Sequence, residues 1–199
     1  MTDIVVFISL TLDGVMQAPG RPDEDTRGGF EHGGWGVPYS DADQGRIAAE
    51  SMATSGSLLF GRRTYEDFSS VWPHRTDNPY TEVLNASTKY VASRTLREPL
   101  PWQNSVLLSG DVGDEVARLR SEPGKDIVIL GSGELVRSLM PRNLIDRYIL
   151  WITPLVLGSG QRLFTDGGTP ARLRLLKAQT TSSGVVVATY EPEASAPRD

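Results

Sequence analysis

Three times in this chain a short aliphatic run ends in a turn made of glycine, arginine, serine and threonine. Ser57–Phe60 leads into Gly61-Arg62-Arg63-Thr64, Lys89–Ala92 into Ser93-Arg94-Thr95, and Ile127–Leu130 into Gly131-Ser132-Gly133. The first and third turns open helical patterns, carrying Tyr65 and Phe68 in one case and Leu135, Val136, Leu139 and Met140 in the other. Strands that alternate with helices fold into a mostly parallel sheet covered on both faces. Further runs fit the same scheme. Ile4–Leu10 and Ser105–Leu108 read as strands, residues 41–54 as a helix, and Asp111 as the N-cap of another helix closed by Pro123-Gly124. Beyond Asp146 the pattern changes. Tyr148–Leu157 reads as a long strand interrupted by Pro154, and Leu173–Ala178 with Val185–Tyr190 as an antiparallel hairpin. The expected fold class is therefore α/β: a three-layer domain with a mostly parallel central sheet and a C-terminal antiparallel hairpin.

The chain has 199 residues, of which 39% are hydrophobic and 23% charged, which suits one soluble domain. That domain is placed at residues 1–191, with 192–199 as a disordered tail. The absence of cysteine excludes disulfides and thiolate zinc sites and agrees with a reducing compartment. Met1-Thr2-Asp3 has no basic region, and the apolar run after it is too short for a signal-peptide core or a membrane span. The expectation is a cytoplasmic protein with no membrane partner. A net charge of −5 argues against nucleic acid as a partner. The two histidines, His32 and His74, have no metal-ligand spacing, so no metal is expected. Neither a G-x-S-x-G elbow nor a G-x-x-x-x-G-K-[ST] loop occurs.

In an open α/β sheet, ligands bind outside the carboxyl ends of the strands. The three turns sit there, and their chemistry suits phosphate. Gly131 and Gly133 allow close backbone approach before Glu134 and Leu135 begin a helix. Arg62, Arg63 and Arg94 offer planar donors, and Thr64, Ser93, Thr95 and Ser132 offer hydroxyls. Taken singly, each turn is more often plain punctuation. G-x-G before a helix is common, the third glycine of G-x-G-x-x-G is replaced by Val136, and paired arginines usually lie in solvent. Three such turns after three strands of one sheet favour a dinucleotide. The long loop Arg21–Gly36 reads as a lid, with Trp35 able to stack on a ring.

These segments resemble a known family. Leu10-Thr11-Leu12-Asp13-Gly14 is similar to the S-L-D-G element of the RibD-type reductase domain of bifunctional riboflavin-biosynthesis proteins. Phe60–Glu66 is similar to the G-R-x-T-[YF]-E segment that those domains share with dihydrofolate reductases. Lys89–Leu96, Ile129–Leu135 and Pro154–Gly160 with Leu163-Phe164 resemble further blocks in the same order, over about residues 3–191. The resemblance implies an NADPH-dependent reductase, dihydrofolate-reductase-like in fold and frequently a homodimer. Its substrate would be a small planar heterocycle or carbonyl/imine compound, with 5-amino-6-ribosylaminouracil-type reduction among the family's chemistries. By that resemblance Gly61–Thr64 and Ser93–Thr95 would hold the adenosine ribose phosphate and Gly131–Leu135 the pyrophosphate. Asp13, Met16 and Gln17 would lie beside the nicotinamide, and Gly158 and Gly160 would line the same cleft. Dihydrofolate reductases carry a carboxylate on their first long helix, which makes Asp43 the catalytic candidate. Aspartates at a helix start also serve as caps. A cofactor-binding sensor or scaffold without turnover is the alternative reading.

Overall fold

Residues of the first strand alternate between two cores. In β1 (Ile4–Thr11), Ile4, Val6, Ile8 and Leu10 enter one apolar cluster, while Val5 and Phe7 enter or pack against another. Only a sheet covered on both sides can bury both sets. The computed structural model of the protein, which describes residues 1–52, 54–76 and 80–193, has such a sheet. It contains β1, β2 (Ser55–Gly61), β3 (Thr88–Ala92), β4 (Ser105–Leu108), β5 (Asp126–Leu130), β6 (Arg147–Thr153), β7 (Leu173–Thr180) and β8 (Val186–Pro192). The order is β4-β3-β2-β5-β1-β6-β8-β7. The first six strands in that row run parallel, and β8 and β7 pair antiparallel at the β6 edge.

The helices are α1 (Ala42–Met52), α2 (Arg62–Val71), α3 (Tyr80–Ala86), α4 (Val112–Ser121) and α5 (Gly133–Leu139). Val116 and Leu119 of α4 and Leu135, Val136 and Leu139 of α5 pack with the even-numbered side chains of β1. On the opposite face, Ile47 of α1, Tyr65 of α2 and Leu84 of α3 pack with Leu58, Phe60 and Val91. Each large apolar side chain fully buried here stabilises the fold by about 1.5–3 kcal/mol. As expected, Asp111 caps α4, its carboxylate accepting the Gly113 and Asp114 N–H groups.

Three sequence expectations change. The strand expected over Tyr148–Leu157 stops at Thr153, because Pro154 has no N–H for the ladder; Leu155 and Leu157 pack instead on Val15, Ala18, Phe30 and Trp35. The helix α3 had no counterpart in the sequence reading. Pro192, assigned to the tail, belongs to β8, and Glu193 donates its N–H to Arg172; the remaining tail positions lie outside the described residues. Six parallel strands put six carboxyl ends on one rim.

Candidate active-site cleft

The turns after β2, β3 and β5 open into one cleft of about 1030 Å³. All twelve residues expected to hold cofactor line it: Gly61, Arg62, Arg63 and Thr64; Ser93, Arg94 and Thr95; and Gly131, Ser132, Gly133, Glu134 and Leu135. The turns are built by their own side chains. Ser132 Oγ accepts the Gly61 N–H at 3.0 Å and contacts the Leu130 carbonyl at 3.2 Å, so it ties the end of β2 to the end of β5. Ser93 Oγ accepts the Thr95 and Leu96 N–H groups at 3.1 and 3.0 Å, which shapes the β3 turn. Gly131 has φ +65°, a left-handed conformation that favours glycine. Gly133 answers a different need. A β-carbon there would stand 1.9 Å from Met16 Sδ, so its hydrogen lets Met16 lie across the start of α5.

The charged groups are largely paired across the cleft. Arg63 meets both oxygens of Glu134 at 2.7 and 2.8 Å, and Arg27 reaches the same carboxylate at 3.1 Å. Arg62 pairs with Glu66 at 2.9 Å. Arg94 is exposed, and its guanidinium has no hydrogen-bond or ion-pair partner among the described residues. The segment 18–27 forms one wall of the cleft, stapled to α2 through Arg21 and Asp67 and to α5 through Arg27 and Glu134. Gln17, almost fully buried, fixes that segment from below. Its amide donates to the Asp25 and Arg27 carbonyls and its oxygen accepts the Gln161 N–H at 2.9 Å. Next to the polar turns the lining becomes apolar and aromatic, with Phe7, Ala48, Met52, Phe68, Trp72 and Leu84. The site thus combines free and exchangeable cations with an apolar slot.

Residues 2–187 match the model of the RibD C-terminal domain. The chain belongs to this family. The relatives of this RibD C-terminal-type domain include two uncharacterized Bacillus subtilis (strain 168) proteins. YyaP is 28% identical over 193 residues, covering 94% of this chain and 93% of the relative. YwjB is 31% identical over 176 residues, covering 86% and 87%. Among solved structures, a protein assigned to riboflavin biosynthesis from Shewanella sp. PV-4 superposes with a TM-score of 0.71 at 25% identity, over 98% of this chain and all of that one. The Enterococcus faecalis dihydrofolate reductase complexed with NADP(H) superposes with a TM-score of 0.61 at 12% identity, over 96% and 97%; that likeness is one of fold.

Not every residue singled out in this RibD-type sequence reaches the cleft. Met16 and Gln17 line it; Asp13, Trp35, Gly158 and Gly160 stand outside. Asp13 is a staple between two loops. Its carboxylate takes the Thr11 hydroxyl, the Leu157 and Gly158 N–H groups and Arg162, and the Thr11 hydroxyl in particular holds its pKa well below the carboxylate range. Trp35 is buried with Val15, Ala18 and Phe30 and donates Nε1–H to the Gln17 carbonyl at 2.7 Å, so its ring is core rather than lid. Gly160, φ +113°, gives room to Phe30 and Val15. Asp43 also lies away from the cleft. Its carboxylate accepts the Ser182 N–H at 3.1 Å, and Asp41 beside it accepts the Ser182 hydroxyl and the Ser183 N–H, so the pair clamps α1 to the β7–β8 turn. Missing from the sequence reading were the Arg21–Asp67 staple, Glu24, and the placing of Phe68 together with Trp72, one of the tryptophans able to stack on a ring, on one wall of the cleft. Phe68 and Trp72 stand four apart at helical spacing, which is the signal that could have placed them on one face.

Proposed function

We propose that this protein is an NADPH-dependent reductase of a small planar heterocyclic or carbonyl/imine compound. One observation carries the reading: the strand-end turns holding Arg62, Arg94 and Ser132 converge on one cleft beside an aromatic, apolar slot. The residues present fit the cofactor. Arg94, without a partner among the described residues, and Arg62, held only by an exposed pair with Glu66, are the cations available to a ribose phosphate. Gly131 turns the chain into α5, where the Glu134 and Leu135 N–H groups, without a backbone acceptor among the described residues, are of the kind that bind pyrophosphate. The Enterococcus faecalis neighbour is complexed with NADP(H), which supports the same choice of cofactor. When bound, a reduced nicotinamide supplies hydride. The chain's own residues do the rest: Met16 and Gln17 set the floor, Phe68, Trp72 and Met52 keep water from the slot, and the turns fix the phosphates.

Titration with NADPH should quench tryptophan emission with micromolar affinity, since Trp72 lines the cleft. No binding at millimolar NADPH ends the reading. Arg94→Ala should weaken NADPH roughly tenfold or more and NADH far less, because a charge-assisted phosphate contact contributes about 1.5–3 kcal/mol; equal losses remove Arg94 from that role. A cofactor-binding sensor is the second reading. It is favoured by the engagement of Asp43 with the β7–β8 turn, and steady NADPH consumption with a pteridine or quinone excludes it. The reading includes a homodimer, for which β7, an edge strand with Leu175 and Leu176 exposed, is a surface.

A further inference from the structure

Among the described residues six carboxylates line the cleft: Asp23, Glu24, Asp25, Glu66, Asp67 and Glu134. Five of them are paired with arginine. Asp23 and Asp67 meet Arg21, Asp25 meets Arg27, Glu66 meets Arg62, and Glu134 meets both Arg63 and Arg27. Glu24 differs from the rest. Among the described residues it has no ion pair, and only Oε2 is engaged, accepting the Gly20 and Arg21 N–H groups at 2.7 and 3.1 Å. Those two contacts fix the carboxyl group on the wall and leave Oε1 without a partner. We propose that Glu24 is the acid of the cleft, delivering a proton from Oε1 to the substrate as hydride arrives.

The proposal rests on the reductase reading and gives it the proton donor that Asp43 does not provide. The groups around Glu24 agree with it. Burial raises its pKa, and the charge of Asp67 on α2 adds to that. The Gly20 and Arg21 N–H groups and the Arg21 guanidinium act in the opposite direction, while Arg21 is itself shared between Asp23 and Asp67. The balance of the step is simple. The substrate carbon takes hydride from the reduced cofactor, which is oxidised. The π pair of the C=N or C=O bond moves onto the heteroatom, which takes the Glu24 proton, and the carboxylate left behind regains a proton from water.

Glu24→Gln keeps an acceptor for both backbone N–H groups and removes only the proton, so the wall keeps its shape. Two measurements decide. In carboxyl-labelled protein saturated with NADP+, the Glu24 resonance should titrate above the ordinary value of 4.5 and vanish in Glu24→Gln. A midpoint at or below that value overturns the proposal, whatever the activity. With 7,8-dihydropterin as the acceptor, Glu24→Gln should reduce kcat about a hundredfold at neutral pH, with a loss of the basic limb of the pH profile and less than a twofold change in NADPH affinity. Equal rates and profiles in the two proteins overturn it. A wild type that binds NADPH but reduces none of a panel of C=N and C=O compounds overturns the reductase reading itself, and this proposal with it. Failure of NADPH to bind does the same one step earlier.

Discussion

At the scale of single residues, the cleft depends on atoms that are absent. Met16 can cross the start of α5 only because Gly133 has no side chain. Gly133→Ala should push Met16 out of place and destabilise the protein by about 1–3 kcal/mol, the usual cost of overpacking. A Met16→Ala background should recover most of that loss, as a double-mutant cycle in urea would show; no coupling between the sites means that Met16 is not what Gly133 accommodates. Asp13 gives a pH prediction. Its folded pKa lies below the unfolded one, so its contribution is complete above about pH 4 and is lost as pH falls through the folded value. Asp13→Asn should therefore be less stable at neutral pH by about 1 kcal/mol and show a shallower decline on acidification. An acid limb unchanged from wild type contradicts the loop-staple role. Asp13 also marks what one sequence can reveal. Its place near the first strand was legible, whereas of its four donors only Thr11 is local; Leu157, Gly158 and Arg162 lie beyond residue 150, and no local pattern announces such partners.

At the scale of elements, the helices that sequence foresaw are those with a marked start. Asp111 announces α4, and the glycines before α5 announce its turn. The helix α3 has seven residues, too few for a periodic signal, and it is held by tertiary contacts. Chief among these is Lys89. Its side chain is fully buried, donates to the Leu84, Asn85 and Ser87 carbonyls and lies 4.5 Å from the centre of the Trp102 ring. Burial pushes its pKa down to about 8, while the carbonyls at the end of α3 and the indole face keep the ammonium charged at neutral pH. Lys89→Met should cost about 3 kcal/mol, because the Leu84 and Ser87 carbonyls lose the Lys89 donor beside a buried indole face; a loss below half that in chemical denaturation contradicts the capping role. The same distinction separates the cofactor turns from the acid. Arginine, serine and glycine after a strand are local chemistry and can be read in order. Glu24 lies in an acidic stretch, Asp23-Glu24-Asp25, where nothing tells one carboxylate from the next until the arginines have chosen partners.

At the scale of the whole molecule, the family and the α/β architecture were legible because five motifs and their order survive in one chain. The hidden part was how α1 and the β7–β8 turn meet, a contact between residues 139 positions apart that takes Asp43 away from the cleft. Sheet order makes a further demand. β1 lies between β5 and β6, with Ile4 opposite Ile127 and Val5 opposite Arg147. A chain cut after residue 145 keeps every cofactor turn but loses β6, β8 and β7. It should show no cooperative melt and no NADPH-induced shift; a folded fragment would mean that the central strand needs only one neighbour. During synthesis β1 emerges long before β5 and β6, the two strands that flank it. Until the chain beyond residue 126 emerges, the apolar segment Ile4–Leu10 has neither of its sheet neighbours, and in the nascent protein it is a stretch open to chaperones or to other nascent chains.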